Sequence, residues 1–225
     1  MLGMYPGDPG PPGADSSGVV LDVGSGVTAL KPGDAVFGLA AGSLGSHVHT
    51  PAATLAPMPS NLTFEGAATA PTVFITVDTA FRHAAAVRPG ERVLVHAAAG
   101  GVGLAAIQVV ESLQGTTIAT AGSPNKRALV RQLGVREVLG SRDTVFASEA
   151  GELGGADVVL NSLTSSGMVA GSLAALSSGG RFVEISKRDI WSAARVAQGE
   201  PAAAALPSRH TSLGLGQNNV ALLNP

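Results

Sequence analysis

The sequence predicts an α/β fold, in which a doubly wound parallel sheet follows a small region of short β-strands. After Asn61, apolar strand-like segments alternate with helical segments, as they do along a chain of βαβ units. Aromatic residues make up only 4% of the chain, so Val, Leu, Ile and Ala must fill the core, which suits helices packed on a parallel sheet. Before Asn61, short apolar pieces are separated by turn sequences such as KPGD.

The composition excludes several classes of partner. Charged residues make up 13% of the 225 residues and the net charge is -2, so we expect no basic surface for nucleic acid. No apolar run reaches the roughly 18 residues of a membrane helix, and the first residues lack the pattern of a secretory signal. The chain has no cysteine, which excludes disulfides and thiolate metal sites. We therefore expect a cytoplasmic protein without nucleic-acid or membrane partners.

The N-terminal region contains four predicted strand segments, SGVVLDV, DAVFGLA, SHVHTPA and TLAPMP. The third segment places His47 and His49 two residues apart, so both side chains are predicted to share one face of a strand. No third ligand accompanies them, so structural or surface histidines are favoured and no metal site is predicted.

The alternating region has a regular succession of predicted elements. Ser123, Pro124 and Gly134 mark the two ends of one helix, as N-cap, first turn and C-cap. The predicted helices begin at about Thr63 and cover 71–86, 101–113, 124–133 and 168–176; the predicted strands cover 92–96, 116–121, 137–139, 156–161 and 181–186.

The most informative motif is a glycine-rich turn between a predicted strand and a predicted helix, in VLVHAAAGGVGLAAIQVV. The pyrophosphate of a dinucleotide approaches the backbone of such a turn only where side chains are small. Gly100 and Gly101 permit that approach, and Gly103 lets the helix pack closely on the strand, while alanine takes the first glycine position of the fingerprint. We therefore predict that Gly100, Gly101, Val102 and Gly103 bind a dinucleotide; the alternative is a purely structural turn.

The next strand ends without the acidic residue that binds the ribose 2′-hydroxyl of NAD. Instead, TTIATAGSPNKR supplies Ser123, Lys126 and Arg127 around a helix N-terminus, and Arg142 offers a further cation. These groups suit a 2′-phosphate, so the predicted cofactor is NADPH. The alternative is that Lys126 and Arg127 are solvated surface residues, as most Lys and Arg are.

A series of motifs follows in order along residues 1–198: LGMYPG, SSGVVLDVGSGV, KPGDAVFGLA, PTVFITV, RPGERVLVHAAAGGVGLAAIQV, SPNK, SRDT, ADVVLNSL and GGRFVEISKRDIW. In this order they resemble the enoyl reductase domains of polyketide and fatty acid synthases. These domains form a zinc-free, quinone-oxidoreductase-like group of medium-chain dehydrogenases/reductases. HAAAGGVG, VVLNSL and RFVEISK are the specific part of the resemblance, because the motifs of the β region are shared more widely.

The resemblance implies a partial GroES-like substrate domain over residues 1–62 and an NADPH-binding Rossmann domain over residues 63–190. Residues 191–225, with one short apolar run at 220–223, are predicted to form a poorly structured tail. The implied reaction reduces the 2,3 double bond of an enoyl thioester on an acyl carrier protein, with hydride from NADPH and a proton at the α-carbon. The implied partners are the carrier protein and the other synthase domains, and a homodimer is left open.

Matching motifs also imply roles for individual residues. Thr76, Asn161 and Ser162 match residues at the nicotinamide end of the family's cofactor site, Lys187 matches a proposed proton donor, and Tyr5 matches a tyrosine linked to α-carbon stereochemistry. In the alternative interpretation, Asn161 and Ser162 form a strand-end turn, Tyr5 lies in a surface turn, and Lys187 is a strand-end cation.

The chain departs from the family pattern at several places. Ser186 replaces the usual glycine before the lysine, and the family's partner aspartate has no counterpart in QGEPAAAALPSRHTSLGLG. A segment that commonly carries tyrosine reads Val77-Asp78-Thr79. The motifs also begin and end abruptly, so we expect a chain shortened at both ends, with open strand edges and reduced stability or activity. Two alternatives to an active domain are a nucleotide-binding or scaffolding fragment and a free-standing quinone or alkenal reductase.

Overall fold

The structure is a computed structural model that describes residues 10–192, 195–196 and 221–222. The chain divides into two compact units, the first ending at Ile75 and the second beginning at Thr76. The division falls inside a helix, whereas the sequence places a domain limit after residue 62. The domain limits proposed from the sequence stay predictions.

The first unit contains a three-stranded antiparallel sheet in the order β1-β2-β3. Helix α1 is short and is capped by Thr63, whose hydroxyl accepts a hydrogen bond from the amide of Gly66. The elements of this unit are β1 (Asp15–Val19), β2 (Ala35–Leu39), β3 (Leu55–Pro57), α1 (Phe64–Ala67) and the first part of α2 (Pro71–Asp78).

The predicted strand SHVHTPA is wrong. Residues 46–50 are irregular, and a 3₁₀ turn at Ala52–Thr54 follows them. The hydroxyls of Thr50 and Thr54 both donate to the carbonyl oxygen of Leu39, at 2.9 and 2.8 Å. Side-chain bonds of this kind offer the backbone an alternative to a strand ladder. His47 and His49 therefore do not share the face of a strand.

The second unit is built on a six-stranded parallel sheet in the order β6-β5-β4-β7-β8-β9. The strand order reverses between β4 and β7, which is the switch point of a doubly wound sheet. The strands are β4 (Arg92–Val95), β5 (Thr116–Ala121), β6 (Glu137–Gly140), β7 (Ala156–Asn161), β8 (Leu176–Glu184) and β9 (Ala221–Leu222). The helices that follow these strands are α3 (Gly101–Ser112), α4 (Pro124–Gln132), α5 (Val145–Glu152) and α6 (Met168–Ala174).

Both faces of this sheet are covered. Leu94, Ile118 and Phe182 pack with residues of α5 and α6 in one buried cluster. Val93 and Val95, which alternate with Leu94 along β4, are equally buried and point to the opposite face. This pattern is typical of a parallel sheet between two helical layers, so the predicted fold class is confirmed.

Several elements differ from their predicted limits. The predicted helix over 71–86 is α-helical only to Asp78 and continues as a π-helical segment at Thr79–Ala84. Strand β8 begins at Leu176 and runs through a glycine pair, with a register shift against β7. Ala221–Leu222 lie in the segment predicted to be a loose tail, but they pair in parallel with β8 at the edge of the sheet. Apart from these residues and from 191–192 and 195–196, that tail lies outside the described residues.

Helix α3 packs so closely on the turn before it that position 103 has no room for a side chain. A Cβ added to Gly103 would lie 2.4 Å from the Cα of Ala98, which is itself fully buried. The predicted close packing of helix on strand therefore has a direct steric cause at this glycine.

Gly103→Ala is expected to lower the free energy of unfolding by about 2 kcal/mol, because backbone atoms must move to admit the methyl group. Gly151→Ala is the matched control, since a Cβ there, within helix α5, meets nothing within 4 Å. The control is expected to stabilise the chain by about 0.5 to 1 kcal/mol through helix propensity. Urea unfolding followed by circular dichroism measures both changes, and equal effects would contradict the steric argument.

Candidate functional site

Most of the residues proposed from the sequence lie along one edge of the parallel sheet. The carboxyl ends of parallel strands meet at the same edge, and ligands of such sheets bind there. The glycine turn follows β4, Ser123 and Lys126 follow β5, Arg142 follows β6, Ser162 follows β7 and Lys187 follows β8. Thr76 is half-buried in α2, and Tyr5 lies outside the described residues.

The glycine turn presents backbone amides at the start of α3. Gly100 is the N-cap, with φ -91° and ψ 172°, and no side chain caps the helix. The first intrahelical amide is that of Leu104, which donates to Gly100 O at 2.8 Å, so the amides of Gly101, Val102 and Gly103 precede the intrahelical bonds. Gly100 and Gly101 are exposed. Such an end of a helix favours an anionic group, so this turn fits the pyrophosphate of a dinucleotide.

Cationic groups gather at the end of β5. The Nε of Arg142 donates to the carbonyl oxygen of Gly122 at 3.2 Å, and a Cβ on Gly122 would lie only 2.9 Å from that nitrogen. Arg127 donates to Ala121 O at 3.2 Å, and Lys126 is exposed on the first turn of α4. The structure thus brings Arg142 to the same strand end as Ser123 and Lys126, which fits the predicted phosphate site.

Ser123 caps α4, as its sequence position predicts. Its hydroxyl accepts a hydrogen bond from the amide of Lys126 at 3.3 Å, and Pro124 occupies the first turn. The cap satisfies one amide of the helix start and fixes the direction in which the chain leaves β5.

Asn161, at the end of β7, makes its hydrogen bonds within the protein. Its side chain is completely buried. The Nδ2 group donates to Leu163 O at 3.2 Å and to Glu184 Oε2 at 2.7 Å. The Oδ1 atom accepts from Leu163 N and from the Ser172 hydroxyl, both at 3.3 Å. These four bonds occupy the hydrogen-bonding groups of the amide, so the proposed contact of Asn161 with a cofactor stays a prediction.

Asn161 belongs to a continuous buried chain of polar side chains. His96 Nδ1 lies 3.0 Å from the Thr120 hydroxyl, and His96 Nε2 lies 2.8 Å from the Ser172 hydroxyl. Ser172 donates onward toward Asn161, which in turn donates to Glu184. These five side chains are the buried polar and charged ones within the described part of the chain. We name this set, Thr120, His96, Ser172, Asn161 and Glu184, the buried polar chain.

Burial shifts the pKa of both ionisable members of the buried polar chain. Desolvation lowers the pKa of His96 from 6.5 to about 3, so its ring is neutral at physiological pH. A neutral ring donates from one nitrogen and accepts at the other. The single hydroxyl proton of Ser172 is shared between Met168 O at 2.7 Å and Asn161 Oδ1 at 3.3 Å, so Ser172 accepts from the Nε2–H of His96. Burial raises the pKa of Glu184, against the opposing effect of its hydrogen bonds from Ser186, Asn161 and Ile185.

Among the five residues of the buried polar chain, only Asn161 was proposed as a site residue from the sequence. A usable signal was present for Glu184, since RFVEIS places an ionisable residue inside an otherwise apolar strand. His96 offered the weaker signal of a polar residue that ends the run VLVH. Thr120 and Ser172 offered none, because small hydroxyl residues are common in strands and helices.

Ser162 and Lys187 flank the end of the buried polar chain. The Ser162 hydroxyl oxygen is buried and has no hydrogen-bond partner among the described residues, so its hydrogen-bonding capacity is unused there. Lys187 is half-buried and directly follows Ser186, whose amide donates to Glu184 Oε1 at 2.8 Å. The orphaned hydroxyl is a second feature of this edge that fits a bound cofactor.

The described residues offer neither a metal site nor a membrane span. Residues 10–192 with the two shorter described stretches contain no group of three His, Cys, Asp or Glu that is placed to hold a metal ion. None of the helices in this part of the chain combines the length and the apolar character needed to cross a bilayer.

The depressed pKa of His96 predicts a pH-dependent stability. Above pH ~6.5 the contribution of His96 to the free energy of unfolding is fully present. This contribution is lost as the pH falls toward about 3, because in that range the proton binds the unfolded chain but not the folded one. Between pH 7.5 and 5, protonation of His96 in the unfolded chain lowers the free energy of unfolding by about 2 kcal/mol. His96→Gln is expected to remove this part of the pH dependence in urea unfolding. His83→Gln, at an exposed histidine, is the control and should keep the wild-type pH dependence. If His96→Gln also kept the wild-type pH dependence of the free energy of unfolding, His96 would not be its source.

Comparison with known proteins agrees with this geometry. Residues 101–199 match the family described as zinc-binding dehydrogenase. The spectinabilin polyketide synthase system protein NorB of Streptomyces orinoci is 48% identical over 187 residues, which are 82% of this chain and 8% of that protein. The CurK enoyl reductase aligns with a TM-score of 0.80 and 39% identity, over 84% of this chain and 57% of that one.

A second similar structure contains a nucleotide. Mycobacterial Rv1454c complexed with NADPH aligns with a TM-score of 0.75 and 29% identity, over 83% of this chain and 61% of that one. The chain thus spans less than a tenth of the curated synthase NorB and a little over half of the solved enoyl reductase CurK. These relatives support a nicotinamide cofactor. By sequence and by fold, the chain belongs to the family of enoyl reductase domains of polyketide synthases.

Proposed function

We propose that the chain reduces the 2,3 double bond of an enoyl thioester on an acyl carrier protein, with NADPH as cofactor, within a polyketide synthase. The observation that carries the proposal is the gathering of amides, cations and an orphaned hydroxyl along one sheet edge. The similarity to NorB and to CurK enoyl reductase supports it. The carrier protein and the other synthase domains are the proposed partners, and the cytoplasm is the proposed location.

The phosphate groups of the cofactor would be held by two helix starts. The amides of Gly101, Val102 and Gly103 would hold the pyrophosphate, because the helix dipole favours negative charge there. Lys126 and Arg142 would bind the 2′-phosphate through charge-assisted hydrogen bonds, which are stronger than neutral ones. No acidic side chain follows β5 to favour the free hydroxyl of NADH.

The nicotinamide end would be held by Thr76, Ser162 and the strand-end loop at Asn161. Bound NADPH supplies the hydride that adds to the β-carbon of the substrate. Lys187 is the proposed donor of the proton to the α-carbon, and Tyr5 is the second proton-handling candidate. A donor acts only within hydrogen-bond reach of the accepting atom, so the position of Lys187 depends on the chain that leaves β8.

Activity is tested with the full chain, crotonyl-pantetheine and either nicotinamide cofactor, followed by the loss of nicotinamide absorbance. We expect oxidation of NADPH and slower oxidation of NADH, because the 2′-phosphate adds binding energy. Binding of NADPH without oxidation at any pH would instead support a scaffolding fragment. Turnover of quinones but not of enoyl thioesters would support a free-standing quinone reductase.

Cofactor preference is tested by removing the cations at the end of β5. Lys126→Ala and Arg142→Ala are each expected to weaken NADPH binding about 10-fold, and NADH binding much less, because each loses a charge-assisted bond to the 2′-phosphate. Arg136→Ala removes the same charge at an exposed position just beyond α4 and should leave both affinities unchanged. Titration by nicotinamide fluorescence measures the affinities for NADPH and NADH. An equal loss of affinity for both cofactors would contradict a role of Lys126 and Arg142 at the 2′-phosphate.

A further inference from the structure

We propose that Glu184 is a positioning residue, whose carboxylate joins the chain leaving β7 to the chain leaving β8 and so fixes Ser162 and Lys187 relative to each other. The inference rests on the proposed function, which gives Ser162 and Lys187 their roles. It adds a residue to which the family resemblance assigned no role in the sequence.

The two strands end side by side at this point. Asn161 and Glu184 are the last paired residues of β7 and β8, and the amide of Ile185 donates to Asn161 O at 3.0 Å. Beyond this pair, Glu184 Oε2 accepts from Asn161 Nδ2 at 2.7 Å and Oε1 accepts from the Ser186 amide at 2.8 Å. The carboxylate thus extends the connection between the strands after the backbone ladder has stopped.

On the β7 side, the carboxylate acts through Asn161. The Asn161 side chain binds both the amide and the carbonyl oxygen of Leu163, which closes a small loop around Ser162. The bond to Glu184 fixes which way the Asn161 amide faces, with its nitrogen toward the carboxylate and its oxygen toward Ser172. The Ser162 hydroxyl, buried and unpaired among the described residues, is therefore held by a loop whose orientation Glu184 sets.

On the β8 side, the carboxylate acts directly on the backbone. The Ser186 amide donates to Oε1, and the Ser186 hydroxyl donates to Arg188 O at 2.9 Å, so the backbone on both sides of Lys187 is tied down. One buried carboxyl group consequently determines the starting point of both segments.

A packing role alone does not explain a carboxyl group at this position. Glu184 is 2% exposed and follows Phe182 and Val183, which are also buried. Burying a carboxylate costs free energy that an apolar side chain of similar size would avoid. The two acceptor oxygens are used on the two segments that carry Ser162 and Lys187, which is what a positioning group requires.

The test exchanges donor and acceptor across the Asn161–Glu184 bond in the full chain. Glu184→Gln leaves one acceptor oxygen for two donors, so keeping the bond from the Ser186 amide places the new amide nitrogen opposite Asn161 Nδ2. Asn161→Asp places two carboxylate oxygens opposite each other. The double variant restores one donor and one acceptor with the total charge unchanged. Each single variant is expected to lower kcat about 10-fold, with KM for NADPH changed less than about 3-fold, because the phosphate groups bind elsewhere. The double variant should recover part of kcat.

Amide hydrogen exchange of the cofactor-free chain gives a readout that does not depend on activity. Exchange in segments 162–164 and 185–187 is expected to rise together in each single variant and to fall again in the double variant. Ser177→Ala is the matched control, because the Ser177 hydroxyl donates to Asp157 Oδ1 at 3.0 Å between the opposite ends of the same two strands. The control should leave kcat and the exchange of both segments unchanged, even where the melting temperature falls.

Two results would overturn the proposal. One is that Glu184→Gln has the kcat and the amide exchange of the wild type, and the other is that the double variant recovers neither kcat nor slow exchange relative to the worse single variant. If the wild-type chain reduces no enoyl thioester, the proposed function fails. The exchange data then still decide whether Glu184 fixes the two segments, so the two failures are distinguishable.

Discussion

The buried polar chain is the constraint on which the carboxyl edge of the sheet depends. Its members come from β5, from the residue after β4, from α6, and from the last residues of β7 and β8. Each side chain bonds to the next, so removing one leaves a buried neighbour unsatisfied, at a cost of about 1 to 3 kcal/mol. The buried polar chain therefore fixes the ends of four adjacent strands relative to one another. Apolar packing cannot do this in the same way, because it is not directional.

The glycine turn owes its shape to the same region. His96 N donates to Leu160 O at 3.3 Å and Ala98 N donates to Thr120 O at 2.9 Å, so the turn is tied to the strands on both sides of β4. Between these two bonds Ala97 has φ 49°, a left-handed conformation that is unfavourable for a residue with a Cβ. Such a conformation persists only where the surroundings determine it. The direction of the first amides of α3 is thus set by a strained turn, which the buried polar chain and the sheet hold in place.

The fold could be predicted from the sequence where local signals decide the structure. Strands β5 and β7 have the limits predicted for them, and Ser123 caps α4 as its position requires. Helix α5 was not predicted because it buries only Phe146 and Ala150 and has no side-chain cap. Its place is set by packing on the sheet rather than by its own pattern.

The candidate site could be predicted only in part, for a related physical reason. The amides and cations of the phosphate side follow from residue type and from position after a strand. The partners of Asn161 do not, since Ser172 and Glu184 lie 11 and 23 residues away in the sequence, and His96 and Ser172 lie 76 residues apart. Only the parallel pairing of β4, β7 and β8 brings these residues together. Whether a polar residue at a strand end faces the ligand or the core is thus decided by the sheet.

These two kinds of residue divide the site into parts with different physical demands. On the phosphate side, Gly100, Gly101 and Lys126 are exposed, so a change there alters contacts with a ligand and leaves the core as it was. On the proposed nicotinamide side, Asn161 and Glu184 are buried, so a change there is expected to move the backbone that carries other groups. Reaction rates depend steeply on small displacements of reacting groups, whereas phosphate binding tolerates them better. The proposed enzyme should therefore lose affinity through its exposed residues and rate through its buried ones.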